Sequence, residues 1–143
     1  MRIMGTAKGI AAIGACFVCG MFAYALTRSP VFDGKDYELY TGTSSDEIIV
    51  TDTPAIDKFV TPVAGESARW EGDRAAELVA RFEAKILFVE ETCGITNLYC
   101  YAPQLGGGIA LGGEVVNLHI ASDGSCTVAG TPIIFGGFSR RTR

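Results

Sequence analysis

The sequence predicts an α+β domain: one main helix packed on a curved antiparallel meander sheet, preceded by an N-terminal transmembrane or signal helix. Three observations predict it. The C-terminal third, 95–138, holds apolar runs separated by Gly, Asp, Ser and Pro, the pattern of consecutive strands punctuated by turn chemistry. Inside it, residues 114–121 (EVVNLHIA) alternate: Val116, Leu118 and Ile120 point one way, Asn117 and His119 the other. A period of two with one apolar face describes a half-buried antiparallel strand. Finally, residues 73–84 (DRAAELVARFEA) form the one clear soluble helix, apolar on a single side, and such a helix has to cover one face of a sheet.

The chain begins with an apolar block. Gly9 to Leu26 carries no charged side chain, and its 18 residues rise about 27 Å as a helix, enough to cross the hydrocarbon of a bilayer. Arg2 and Lys8 precede it and orient the rest of the chain outward. Residues 1–26 therefore read as a signal peptide or membrane anchor. Ala23-Tyr24-Ala25 would allow cleavage after Ala25, whereas the length and the following Arg28-Ser29-Pro30 suit an uncleaved anchor. Ile13-Gly14-Ala15-Cys16 loosely resembles a lipobox, but apolar sequence continues well past Cys16. In each version the domain works outside the cytoplasm.

Residues 27–64 read as an extracytoplasmic linker with short elements. Residues 31–45 are polar, contain Gly34 and Gly42, and read as a tether leaving the membrane. Residues 47–51 (EIIVT) are a short candidate strand. Residues 54–60 could make a turn or two of helix with Pro54 at its first position, ended by Pro62. Residues 66–70 are another short strand carrying the single Trp, Trp70, as a core anchor.

In the main helix Asp73 can cap the start and Glu77 adds negative charge to the first turns. Ala75, Leu78 and Phe82 share one side with Val79 at its margin. Four strands then follow as a meander: 85–92, 95–102, 114–121 and 126–135. Cys93-Gly94 turns the first pair and Asp123-Gly124-Ser125 the last. The Gly-rich link 104–113 could add a small hairpin around Ile109 to Leu111. The face away from the helix is expected to be the more exposed one. Residues 139–143 form a basic tail.

Charge bounds the partners. The 143 residues carry a net −4, and with Arg2 and Lys8 as the only charges of residues 1–26, the remainder carries −6. An acidic domain repels phosphate backbones, which argues against nucleic acid.

No residue pattern with a known reaction attached is present. His119 is the single His, and neither HExxH, GxSxG nor, outside the apolar block, CxxC occurs. No catalytic, metal or cofactor-binding residues are assigned. The glycines of 106–108, 112–113 and 136–137 lack the Lys-Ser/Thr of a phosphate loop and read as turns and bends. Outside the apolar block the cysteines are Cys93, Cys100 and Cys126, an odd number. In an up-and-down meander Cys93 and Cys126 lie at one end of the sheet and are the easiest pair to bridge, with Cys100 a buried thiol.

The constellation that stands out is polar and aromatic: Asn97, Tyr99 and Tyr101 on one strand, Asn117 and His119 on another. If those faces coincide, the sheet offers a groove suited to a peptide, a glycan or a partner strand of another envelope protein. The competing reading puts the rings in the core with their hydroxyls reaching water.

Tyr101-Ala102-Pro103, then Val116-Asn117-Leu118-His119-Ile120-Ala121, then Gly130-Thr131-Pro132-Ile133-Ile134 resembles the YwmB-like proteins of Gram-positive bacteria. Those are secreted or membrane-tethered and have a fold like that of the TATA-box-binding protein. The resemblance spans residues 65–138. It implies a TATA-box-binding-protein-like α+β half-domain, extracytoplasmic placement and no established activity, and it carries over no catalytic residue. The chain departs from the longer members in a much reduced N-terminal half and in a polar hairpin shortened to residues 122–125.

The expected function is a non-enzymatic envelope domain binding a partner on the open sheet face. One alternative is an envelope hydrolase using His119 with Glu90 or Asp123. Another is nucleic-acid binding, by fold analogy alone. An exposed sheet edge could also pair with a second copy of the chain.

Overall fold

A computed structural model describes residues 3–42 and 48–138, with side chains from Thr6 onward. The basic tail, and Glu47 of the predicted strand 47–51, lie outside the described residues. Among the described residues the architecture is α+β: three helices and a seven-stranded antiparallel sheet. Helix α1 spans Ile3–Thr27, and its stretch Thr6–Thr27 is long and apolar enough to cross a membrane or to serve as a signal sequence. None of that stretch is buried against the rest of the protein.

The strands are β1 (Lys35–Tyr40), β2 (Ile48–Thr51), β3 (Gly65–Glu71), β4 (Lys85–Thr92), β5 (Ile95–Tyr101), β6 (Ile109–Leu111), β7 (Glu114–Val116), β8 (Leu118–Ser122) and β9 (Cys126–Thr131). Helix α2 is Pro54–Val60 and helix α3 is Ala75–Arg81. The large sheet runs β2-β1-β3-β9-β8-β5-β4, and β6 pairs with β7 as a separate hairpin. The predicted meander is present as β4-β5-β8-β9, but it is only part of the sheet.

The predicted tether is a correction. Residues 35–40 form a strand between β2 and β3, and Tyr37, Leu39 and Tyr40 are buried. Alternation explains why: Tyr37 and Leu39 face the core and Tyr40 the opposite side, while a register shift between Lys35 and Glu38 fits the polar start of the strand to β3. The domain thus starts well before residue 65.

Helix α3 is shorter than residues 73–84 but is set as its pattern requires. Leu78 and Phe82 are buried, with Ala75 and Val79 packed beside them. The Asp73 carboxylate accepts the Ala75 N–H at 3.1 Å and the Ser122 hydroxyl at 3.1 Å, so it ties the helix start to β8. These side chains meet Cys100, Leu118, Ile120 and Ala129 from the sheet and Phe32 from the segment after α1. Trp70 lies edge-on to Phe32 with centroids 5.8 Å apart, a partly buried core anchor.

A second correction concerns the last strand, which stops at Thr131 and not at residue 135. Pro132 has no N–H to continue the ladder. Residues 132–138 instead fold back over the sheet face away from α3. Gly130 makes room for them: a Cβ there would lie 2.8 Å from the Ile133 carbonyl oxygen. Phe135 meets Tyr40 edge-on at 4.9 Å, and Arg69 donates to the Phe138 carbonyl.

Candidate functional site

Asn97, Tyr99 and His119 of the two polar faces lie on one face of the sheet. In the register of β5 and β8, Tyr99 stands opposite His119 and Asn97 opposite Ala121. Phe88 of β4 stands opposite Tyr99, and Gly130 of β9 opposite His119. One row therefore crosses four strands as Phe88, Tyr99, His119 and Gly130. Tyr99 and His119 stack with centroids 4.5 Å apart and planes 16° from parallel.

Both nitrogens of the His119 ring are engaged. Nε2 lies 3.0 Å from Asn97 Oδ1, and Nδ1 accepts the Ile134 N–H at 3.3 Å. Since Nδ1 accepts, Nε2 carries the proton and donates to the amide oxygen. The ring is buried, and that burial depresses its pKa to about 4 against a smaller opposing pull from the Glu90 carboxylate. Glu90 itself accepts the Tyr99 hydroxyl at 3.2 Å. Burial first, and then Glu90, raises the pKa of that hydroxyl. Asp123 is spent on the turn, accepting the N–H groups of Ser125 and Cys126. The imidazole thus bonds an amide and a backbone N–H, and the hydrogen bonds of Glu90 and Asp123 go elsewhere. Among the described residues, no three His, Cys, Asp or Glu side chains group as metal ligands would.

The open groove is corrected in two respects. The far face is not uncovered: residues 132–138 lie over it from β1 to β8, which leaves Tyr40, Ser67 and His119 buried. The turn of the β6–β7 hairpin approaches from the other side, placing Gly112 against the Phe88 ring. Between them remains a shelf of partly exposed Asn97 and Tyr99 bordered by exposed Glu90.

Asn117 does not belong to that shelf. It sits at the break between β7 and β8 with no exposure. Its Oδ1 accepts the Ala102 N–H at 2.7 Å, while Nδ2 donates to the carbonyls of Ala102 (2.9 Å) and Leu105 (2.7 Å). It holds the loop after β5 in place of a missing ladder. Tyr101, opposite Lys85 at the end of β5, is exposed and away from the stack. Asn117→Ala should destabilise the fold by about 3 kcal/mol, because buried backbone groups lose their partners, and urea denaturation reads the loss. A stability within error of the parent protein would contradict the looping role.

Sequence reasoning missed a charged cluster elsewhere. Lys58 and Glu66 form an ion pair with side-chain exposures of only 7% and 3%. Glu66 also accepts the Tyr37 hydroxyl and the Val31 N–H, and Lys58 donates to the Ser29 carbonyl at 2.7 Å. Burial, then the neighbouring Glu66 carboxylate, pushes the Tyr37 hydroxyl pKa far up. The pair borders a cavity of about 520 Å³ that reaches Arg28, Gly106–Gly108 and Pro132, and none of the five predicted face residues lines it. Glu66 at the start of a strand carries no local signal for a lysine eight residues earlier.

All five cysteines are free thiols. Cys93 turns β4 into β5 while Cys126 opens β9, with β8 between. At the ordinary strand spacing they are about 10 Å apart, beyond the reach of a disulfide. Cys126 Sγ takes a hydrogen bond from Arg69 at 2.8 Å. Cys100 is fully buried and its thiol is pushed up to about 11 by that burial, which makes it an unreactive core residue.

Compared with protein-family models, curated proteins and solved structures, the chain gave no match.

Proposed function

We propose that this chain is a membrane-tethered, extracytoplasmic, non-enzymatic interaction domain of the bacterial cell envelope, and that it takes its partner on the Asn97–Tyr99 shelf. The observation that carries the reading is where the self-made cover stops. Residues 132–138 fill the far face as far as His119, yet Tyr99 and Asn97 on the next strand remain partly exposed. Tyr99 is held against His119 and Glu90 in one orientation, so a partner meets a fixed ring and amide at little entropic cost. The adjoining β4 is an edge strand, with Val89 61% and Ile86 43% exposed. An extended peptide added along that edge would lie beside the shelf. Glu90 and Glu91 at the same place disfavour a nucleic acid. The YwmB-like likeness, with its TATA-box-binding-protein-like half-domain, belongs to this proposal. It is supported by the order of one helix followed by a four-strand meander, whereas β1 and β2 extend the sheet beyond that pattern.

The test is a photoreactive side chain at position 97 in living cells, with position 83 as the control on the α3 side. A discrete adduct from 97 that is absent from 83, and that disappears in Tyr99→Ala, is the expected result. Equal trapping from both positions, or adducts indifferent to Tyr99, would overturn the shelf as the binding place.

A further inference from the structure

Helix α2 is built inside out. Its one lysine, Lys58, is buried at 6% exposure and paired with Glu66, whereas Ile56 and Val60 are 64% and 69% exposed and Phe59 is 38% exposed. At a spacing of three and four, these three apolar side chains share one side of the helix. Single exposed apolar residues are ordinary on a protein surface, but a charge turned inward beneath an apolar outer side is the opposite of what water selects.

The position of α2 identifies the solvent. The Tyr24 hydroxyl donates to the Phe59 carbonyl at 3.4 Å, and the two rings meet edge-on at 5.4 Å. Lys58 reaches the Ser29 carbonyl, two residues beyond the end of α1. One clip therefore holds α2 against the last turn of the apolar helix and the other against the residues just beyond it. The 22 residues Thr6–Thr27 rise about 33 Å, close to the hydrocarbon thickness of a bilayer. A membrane taking up that length has its outer interface at Tyr24 and Arg28, whose guanidinium lies 5.1 Å above the Tyr24 ring. An aromatic ring with a basic group at a helix end is the usual interfacial anchor.

We infer that α2 is a second membrane contact, an interfacial helix whose Ile56, Phe59 and Val60 rest in the headgroup region of the phospholipid leaflet that α1 emerges from. The inference rests on the membrane-tethered reading of α1 and adds to it a seat for the domain. The inward Lys58–Glu66 pair keeps the lysine charge away from lipid and leaves Ile56, Phe59 and Val60 as the outward side chains of α2.

The full chain in phosphatidylcholine vesicles that carry a diazirine near the acyl carbonyl tests this by photolabelling and peptide mapping. Carbene adducts on residues 54–60 should exceed those on α3 roughly tenfold, as expected for side chains at the acyl boundary against side chains in water. In Ile56→Asp/Val60→Asp the adducts on α2 should fall to the α3 level while those on α1 persist. Labelling of α1 with α2 at the α3 level from the outset would overturn the interfacial seat and leave the anchor standing. Absence of label from α1 would overturn the tether and the seat together. Protection of α2 by crosslinks to a second copy of the chain would assign the apolar side to self-association and overturn the lipid contact.

Discussion

Replacing Lys58 by Ala should cost about 3–5 kcal/mol, the largest loss expected from any single side chain of this protein, because it leaves Glu66 charged and unpaired in the interior. Glu66 is 2% exposed, and its carboxylate keeps only the Val31 N–H and the Tyr37 hydroxyl as partners. Those two donors hold β1 and the segment after α1, so the damage extends across β1, β3 and the exit from α1. The double variant Lys58→Met/Glu66→Gln should recover most of the loss. A neutral amide can still accept from Val31 and Tyr37, and Met fills the space of the lysine stem. Urea denaturation of the full chain in detergent micelles reads the comparison, with the double-mutant cycle isolating the pair. A Lys58→Ala protein within about 1 kcal/mol of the parent would be the range of an exposed ion pair, and the buried pair would then not be what holds α2 to β3.

How far the sequence discloses this fold depends on whether the deciding contact is local. The turn at Asp123-Gly124-Ser125 is local: the carboxylate accepts from its own neighbours and Gly124 takes a φ of +86°. The alternation of residues 118–122 and the apolar side of α3 are local too, and the meander and its covering helix follow from them. Strand β1 was hidden because its charges and neighbouring glycine look like a linker, while the partners that bury Tyr37 and Leu39 lie about thirty residues downstream. Asn117 shows the limit of periodicity. Alternation placed it beside His119, but the strand breaks at that residue and turns its amide toward Ala102 and Leu105. The sequence reading carried β9 through Pro132 to residue 135, although a proline cannot donate to the ladder. Where residues 132–138 went was settled by Gly130 and Arg69, neither of which signals a fold-back by itself. Of the predicted face, Asn97, Tyr99 and His119 are brought together by the β5–β8 register, which neither tight turn sets because the long connection through β6 and β7 joins those strands. Which part stays open was decided by that fold-back.

The same contact makes His119 the source of an acid-sensitive step. In the unfolded chain an imidazole takes its proton near pH 6.5, whereas in the fold burial holds the pKa at about 4. Above pH 6.5 neither state is protonated and His119 adds no pH dependence. As the pH falls from 6.5 toward 4, the unfolded state binds a proton that the native state refuses, so stability declines. The total is about 3 kcal/mol by the time the native pKa is reached. A proton on Nδ1 would also point at the Ile134 N–H, so the protonated ring cannot keep residues 132–138 in place. His119→Gln removes the titration while leaving an amide that can donate to Asn97 and accept from Ile134. Its urea midpoint should therefore fall less between pH 7 and pH 4.5 than that of the parent, with the carboxylates common to both proteins cancelling in the comparison. Amide hydrogen exchange at Ile134 should accelerate over the same interval in the parent and not in the variant. Parallel pH profiles for the two proteins would show that His119 takes up its proton equally in the native and unfolded states, which would overturn the buried, neutral imidazole as the source of the acid-sensitive step.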